Sequence, residues 1–282
     1  MLLSYKRQSR QLVMLTNKPH IRILLVYILK LFFIVSVYCI AFYYLCIDFR
    51  IVRDMRIVAL SDMHGALPTV AECDVVVIAG DIVPVAKECD GEESAEWFRG
   101  PFQEWALTLP CKRVVFIGGN HDRLLEYLLK EYTIEEIHNG LFAKDTENKI
   151  VLLHDSAYTF EGVVIYGTPW CPNLVTWAFY AEDEARRASF EEIPDCDILL
   201  THCPAKIGTQ GVVLQECKKC GSNFGDPILA EVLRTKRIGW VISGHIHSGD
   251  HNIEMLGDIR CRNCSIMDER YKESYPAFEF EV

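Results

Sequence analysis

The chain has 282 residues, half of them hydrophobic, which is enough for one large core plus an extension and excludes a globally disordered polymer. Residues 1–56 hold nine of the 29 Lys and Arg but only two of the 39 Asp and Glu, so the body keeps 20 basic against 37 acidic residues, a net charge of −17. So acidic a body repels polyanions, which argues against long nucleic acid as a partner and favours a small anion drawn in by cations.

In chain order, the first feature is apolar. Leu31 to Ile47 is an uncharged run, and Ile23 to Leu29 before it is interrupted only by Lys30. Together they make a candidate transmembrane helix at about residues 23–47, near the roughly 20 residues a membrane span requires. Tyr43 and Tyr44 suit an interface, and no small-residue cleavage site follows, so the run reads as an anchor rather than a signal peptide. Lys6, Arg7, Arg10, Lys18 and Arg22 precede it and Arg50, Arg53 and Arg56 follow. This balance places the N-terminus inside, whereas a thiol-rich body argues for the reverse. Met55 could itself open a free-standing domain, which makes a mis-assigned start the alternative. The expectation is a domain over 55–282, membrane-anchored through a single span if residues 1–54 belong to it and cytoplasmic otherwise.

The body alternates strands and helices. Strands are predicted at Arg56–Ser61, Asp74–Ala79, Arg113–Ile117, Lys149–Leu153, Val163–Tyr166, Asp197–Leu200 and Trp240–Ser243, the apolar runs that turn residues bound. Helices are predicted at Ala95–Leu109, Asp122–Glu131, Glu182–Glu192 and Pro227–Arg234. Pro276–Val282 alternates and is expected to close a sheet edge. The pattern is that of an α/β domain.

Five polar clusters fall at the ends of predicted strands, where α/β sheets place their sites. They are Asp62-Met63-His64, Gly80-Asp81, Gly119-Asn120-His121-Asp122, Thr201-His202 and Gly244-His245-Ile246-His247. Five of the nine histidines lie in them. Taken singly, each has a bland reading as a loop, a helix cap or a chance pair. Taken in order, they gather carboxylate, amide and imidazole donors, a set without soft thiolate that suits Mn, Fe, Zn or Ni.

This series resembles the calcineurin-like metallophosphoesterase superfamily over nearly all of 55–282. Gly167-Thr168-Pro169-Trp170, Trp177-Ala178-Phe179 and Cys220-Gly221 are similar to its small brain-type and bacterial branch. The resemblance implies a two-sheet α/β sandwich flanked by helices, here preceded by the N-terminal apolar helix. It also implies two divalent metal ions, Mn first, with Fe, Zn, Ni or Mg as alternatives. Asp62, His64 and His247 would bind one, Asn120, His202 and His245 the other, and Asp81 both. His121 would be a catalytic acid rather than a ligand, and Asp122 would fix its ring. The implied activity is hydrolysis of a small phosphate ester, a diester such as a cyclic nucleotide. A scaffold on the same fold is the alternative, but it would be expected to lack motif ligands; a protein phosphatase would require a grooved or basic surface.

Other signals are weaker. Cys203 stands where the family usually has glycine, a change a small thiol should tolerate. Cys217, Cys220, Cys261 and Cys264 form two C-x2-C pairs that suggest structural zinc, with a spacing longer than usual. Trp170, Trp177 and Tyr180 read as core packing or as an aromatic wall for a base. His251 could approach the site, while His20, His138 and His154 lack motif context. Oligomeric state has no sequence signal.

Overall fold

The predicted strands of the body pair into two mixed β-sheets in a computed structural model, which describes residues 54–213 and 222–282 together with Lys30. In the first sheet β1 (Arg56–Leu60), β2 (Val75–Ile78), β3 (Arg113–Phe116) and β4 (Ile150–Leu152) run parallel. β13 (Phe278–Glu281) closes its edge antiparallel to β1. The second sheet has the order β11 (Glu254–Leu256), β12 (Ile259–Asn263), β10 (Ile238–Ser243), β7 (Cys196–Thr201), β6 (Val163–Thr168), β5 (Ser156–Phe160), with the two outermost pairs antiparallel. A two-stranded ladder, β8 (Val212–Val213) with β9 (Ser222–Asn223), lies apart.

The period of two explains the layers. In β1, Ile57 and Ala59 face the second sheet and join Val75, Val77, Ile198, Leu200, Trp240 and Ile242 in the sandwich interior. Val58 and Leu60 point the other way. There they meet α1 (Gly91–Trp97), α2 (Gln103–Thr108), α3 (Arg123–Glu131) and α4 (Ile134–Leu141) through Ala95, Ala106, Leu125 and Ile137. The outer face of the second sheet is covered by α5 (Asp183–Glu191) and α6 (Pro227–Leu233), with Phe190 and Leu229 against Leu199 and Val241. Strands buried on both faces account for runs such as VVVI rather than alternation.

The predicted helix Ala95–Leu109 is three pieces. Between α1 and α2 lies a π-helical turn, Phe98–Phe102, with Pro101 inside it. Proline has no N–H to give a regular i→i−4 bond, and the wider turn accommodates it while both phenylalanines stay buried. β5, β11, β12 and α4 are elements the sequence reading did not anticipate. Arg260 and Arg262 interrupt the apolar signal of β12, and α4 is set by the Thr133–Glu136 capping box rather than by its pattern.

Asp54–Val282 makes one compact unit. The candidate span at 23–47 and the pair Cys217 and Cys220 lie outside the described residues. Among the described residues no helix is long and apolar enough to cross a membrane. Cys261 and Cys264 pack on opposite faces of the second sheet, one against the helices and one inside the sandwich, so they do not converge as a zinc knuckle would require.

Candidate metal centre

Every strand that carries a polar cluster ends at the same side of the sandwich. Asp62 and His64 follow β1, Asp81 follows β2, Asn120 and His121 follow β3, His202 follows β7, and His245 and His247 follow β10. The loops are laced together by backbone bonds. Asp62 N–H donates to Gly80 O and His64 N–H to Asp81 O, while His245 N–H donates to the Asp62 carboxylate at 2.9 Å and His121 N–H to Asp81 Oδ1 at 2.8 Å. Asn263 on β12 steadies the histidine loop by donating to Ile246 O.

The backbone is strained where the donors sit. Asp62, His64, Asp81 and His245 have φ of 51°, 43°, 55° and 67°. Side-chain-bearing residues enter this left-handed region at a cost of about 1–3 kcal/mol each, and such positions concentrate at functional sites. Two glycines make the close approach possible. A Cβ on Gly119 would stand 2.3 Å from Asp81 Oδ1, and one on Gly244 would stand 2.1 Å from Asp62 Oδ2.

Two groups of donors result. In the first, His247 Nε2 lies 3.3 Å from Asp62 Oδ1 and 3.3 Å from His64 Nε2. In the second, His202 Nε2 lies 3.2 Å from Asp81 Oδ2 and 2.9 Å from Asn120 Oδ1, with the His245 ring centred 5.1 Å from that of His202. Asp81 Oδ2 is also 3.8 Å from His64 Nε2, so this carboxylate stands between the groups. The opposite nitrogens fix the rings: His202 Nδ1 donates to Ala79 O at 2.7 Å and His247 Nδ1 to Asp268 O at 3.0 Å. Outer partners of this kind hold metal-binding imidazoles in place. Asp62–His64–His247, Asp62–Asp81–His202, His64–Asp81–His121 and Cys171–His202–His245 each bring three potential ligand atoms within 4.8 Å of one another.

The electrostatics fit cations. Burial alone would raise the Asp62 and Asp81 carboxyls, yet His247 and His202 beside them hold both far below the usual range. Burial opposes charge on His202 and His247 too, but Asp81 and Asp62 push each imidazole up to about 9. His64 and His245 move the other way, to about 4, chiefly through burial. Two buried carboxylates thus draw positive charge to two places, first as protons on histidine. Divalent ions exchange for such protons when they bind. Oxygen and nitrogen donors converging on Asp81 fit a pair of them.

His121 and Asp122 divide differently from their expected roles. Asp122 accepts from the backbone of Gly119, Ile82 and Val83 at 2.8–3.0 Å, so it ties the β2 and β3 loops together and does not touch the imidazole. Burial, together with the charge of Asp81, raises its carboxyl to about 6. The partner of His121 Nδ1 is Glu88, a contact the sequence reading missed because Glu88 lies in a loop without a motif. His121 Nε2 faces Asp81 Oδ2 at 4.0 Å.

The aromatic candidates separate. Trp170 donates to Asp155 and packs on His154 and Phe179, a structural role. Tyr180 bonds Glu182. Trp177 lies against His121 at 4.6 Å and against the Arg123 guanidinium at 4.9 Å. Tyr271, half-exposed at φ 56°, meets His64 at 4.8 Å and His247 at 5.3 Å edge-on. It was also missed, standing in a polar loop with no periodic signal. His251 reaches only the His247 backbone and stacks on Tyr275, and His138 pairs with Asp145. Cys203 is tolerated as a fully buried thiol.

Comparison with known proteins agrees with this geometry. Residues 55–249 match the family described as Calcineurin-like phosphoesterase. A UPF0046 protein of Caenorhabditis elegans is 27% identical over 76% of this chain, which spans 57% of that protein's length. Metallophosphoesterase domain-containing protein 1 of Homo sapiens is 25% identical over 80% of this chain and 71% of its own length. A solved crystal structure aligns at a TM-score of 0.52 and 14% identity, over 74% of this chain and 90% of that one, a likeness of fold alone. With its Asp and His side chains gathered in buried clusters, the chain belongs to the calcineurin-like phosphoesterase family.

Proposed function

We propose that the protein is a dinuclear metal-dependent phosphodiesterase acting on a small diester such as a cyclic nucleotide. Asp62, His64 and His247 would hold one ion, Asn120, His202 and His245 the other, and Asp81 both. When bound, such a pair supplies an acidified water and charge stabilisation for the phosphoryl oxygens. The observation that carries the reading is the position of Asp81, within 4 Å of the ring nitrogens of His64, His121 and His202 at once.

The side chains around that carboxylate have separate tasks. His121 presents Nε2 over Asp81, where a proton can pass to the departing ester oxygen. Glu88 on the opposite nitrogen keeps that face turned inward. Trp177 and Tyr271 border His121 and His64 and offer apolar faces to an organic group on the phosphate, which favours a diester over a monoester. The acidic body disfavours long polyanions, so the substrate is small.

Turnover of bis(p-nitrophenyl) phosphate and p-nitrophenyl phosphate by the full chain with Mn²⁺ tests this. The diester should be cleaved faster, and 2′,3′- or 3′,5′-cyclic nucleotides should compete with it. A protein that cleaves neither compound, or prefers the monoester, would contradict the proposal.

A further inference from the structure

The expected donor set at the second metal position contains only oxygen and nitrogen, but the fold brings a sulfur to it. Cys171 lies in the loop after β6, fully buried, with Sγ within 4.8 Å of ligand atoms of both His202 and His245. Sulfur and nitrogen on one tetrahedral zinc ion stand about 3.6 Å apart, roughly 1 Å inside that bound. Small turns of these side chains therefore bring all three onto one ion. The Cys171 backbone is fixed, its N–H donating to Phe179 O at 2.8 Å. Its thiol donates weakly to Pro169 O at 3.5 Å and meets the backbone N–H of Cys203, contacts a metal can replace.

Burial alone does not explain this aim. Cys203, equally buried and next to His202, turns its sulfur to Pro204 O and Phe224 O and joins no ligand group.

We propose that Cys171 is an additional ligand of the second metal position and makes that position prefer thiophilic ions such as Zn²⁺ or Co²⁺ over Mn²⁺ or Mg²⁺. The inference rests on the dinuclear reading above. Thiolate is the softest donor that proteins offer, and soft donors select these metals where oxygen and imidazole alone discriminate less. The thiol proton leaves to solvent as the ion binds. At the first position no cysteine joins the ligand group of Asp62, His64 and His247 among the described residues, so it keeps its preference for harder ions.

Cobalt titration of the chelator-stripped full chain, followed by absorption and elemental analysis, decides the matter. Two equivalents should bind, and one should bring a near-ultraviolet sulfur-to-cobalt charge-transfer band. Cys171→Ser, or Cys171→Ala if serine at this buried site impairs folding, should bind two equivalents without that band. Either variant should hold zinc at least about tenfold more weakly, the lower end of what losing even an outer partner costs a metal site. Cys203→Ser should keep the band. Two equivalents bound by the unaltered protein with no band, or a band that survives in both Cys171 variants, overturns the inference and leaves the dinuclear reading standing. Fewer than two equivalents overturns the dinuclear reading and the inference with it.

Discussion

Glu88 and Asp122 show how two carboxylates near one histidine acquire different tasks. Glu88 meets the ring of His121, whereas Asp122 gathers three backbone amides beneath it. A group that protonates a leaving oxygen matters most when that oxygen leaves poorly. His121→Ala should therefore slow turnover by about 10²–10⁴ while metal content stays unchanged. Glu88→Gln should lose a smaller part of this, more with alkyl diesters than with nitrophenyl ones. A Glu88→Gln/His121→Ala double variant should be no slower than His121→Ala alone, because Glu88 acts through the ring. Equal losses with both leaving groups would assign Glu88 to packing. Asp62, His64, Asp81, Asn120, His202, His245 and His247 were legible in the sequence because each follows a recognisable strand in a short motif. Glu88, Cys171 and Tyr271 were not. Each reaches the site from a loop whose path depends on tertiary packing.

At the scale of elements, Asp145 joins α4 to β4. Its buried carboxylate accepts from the N–H groups of Lys149 and Ile150 at 2.9 and 2.7 Å and from His138 Nε2 at 3.1 Å. Burial would raise its carboxyl, but these donors outweigh it and hold the pKa below the ordinary value. A carboxylate depressed by folding adds stability above its unfolded pKa of about 3.9 and loses it as pH falls through its folded value. Asp145→Asn should cost about 1–3 kcal/mol at pH 7, and urea midpoints of the two proteins should converge below about pH 4. A gap that stays constant with pH would show that charge is not the cause. Beside it, the π-helical turn places Phe102 against Phe98, Phe116 and Phe142. Phe102→Ala should cost about 3–5 kcal/mol in the same assay. The turn escaped sequence reading because Trp97, Phe98, Phe102 and Trp105 keep helical spacing on either side of Pro101. The strands buried on both faces were the most legible elements, since apolar runs between turn residues leave little alternative.

For the whole molecule, the sandwich brings the ends of two sheets together and converts distant motifs into one cluster. His64 and His247 are separated by 183 residues, yet their nitrogens lie 3.3 Å apart. Stability and metal loading are then coupled, because Asp62 and Asp81 are buried side by side and cations offset their repulsion. Chelation should lower the melting temperature and Mn²⁺ or Zn²⁺ should restore it, with the shift growing with the concentration of free ion. An unchanged melting temperature would separate the cluster from folding. The most direct test of the proposed two-metal centre is anomalous scattering from crystals soaked in Co²⁺. Two peaks roughly 3.5–4 Å apart, one on each side of the Asp81 carboxylate, are the predicted result. A single peak, or peaks away from Asp81, would contradict it.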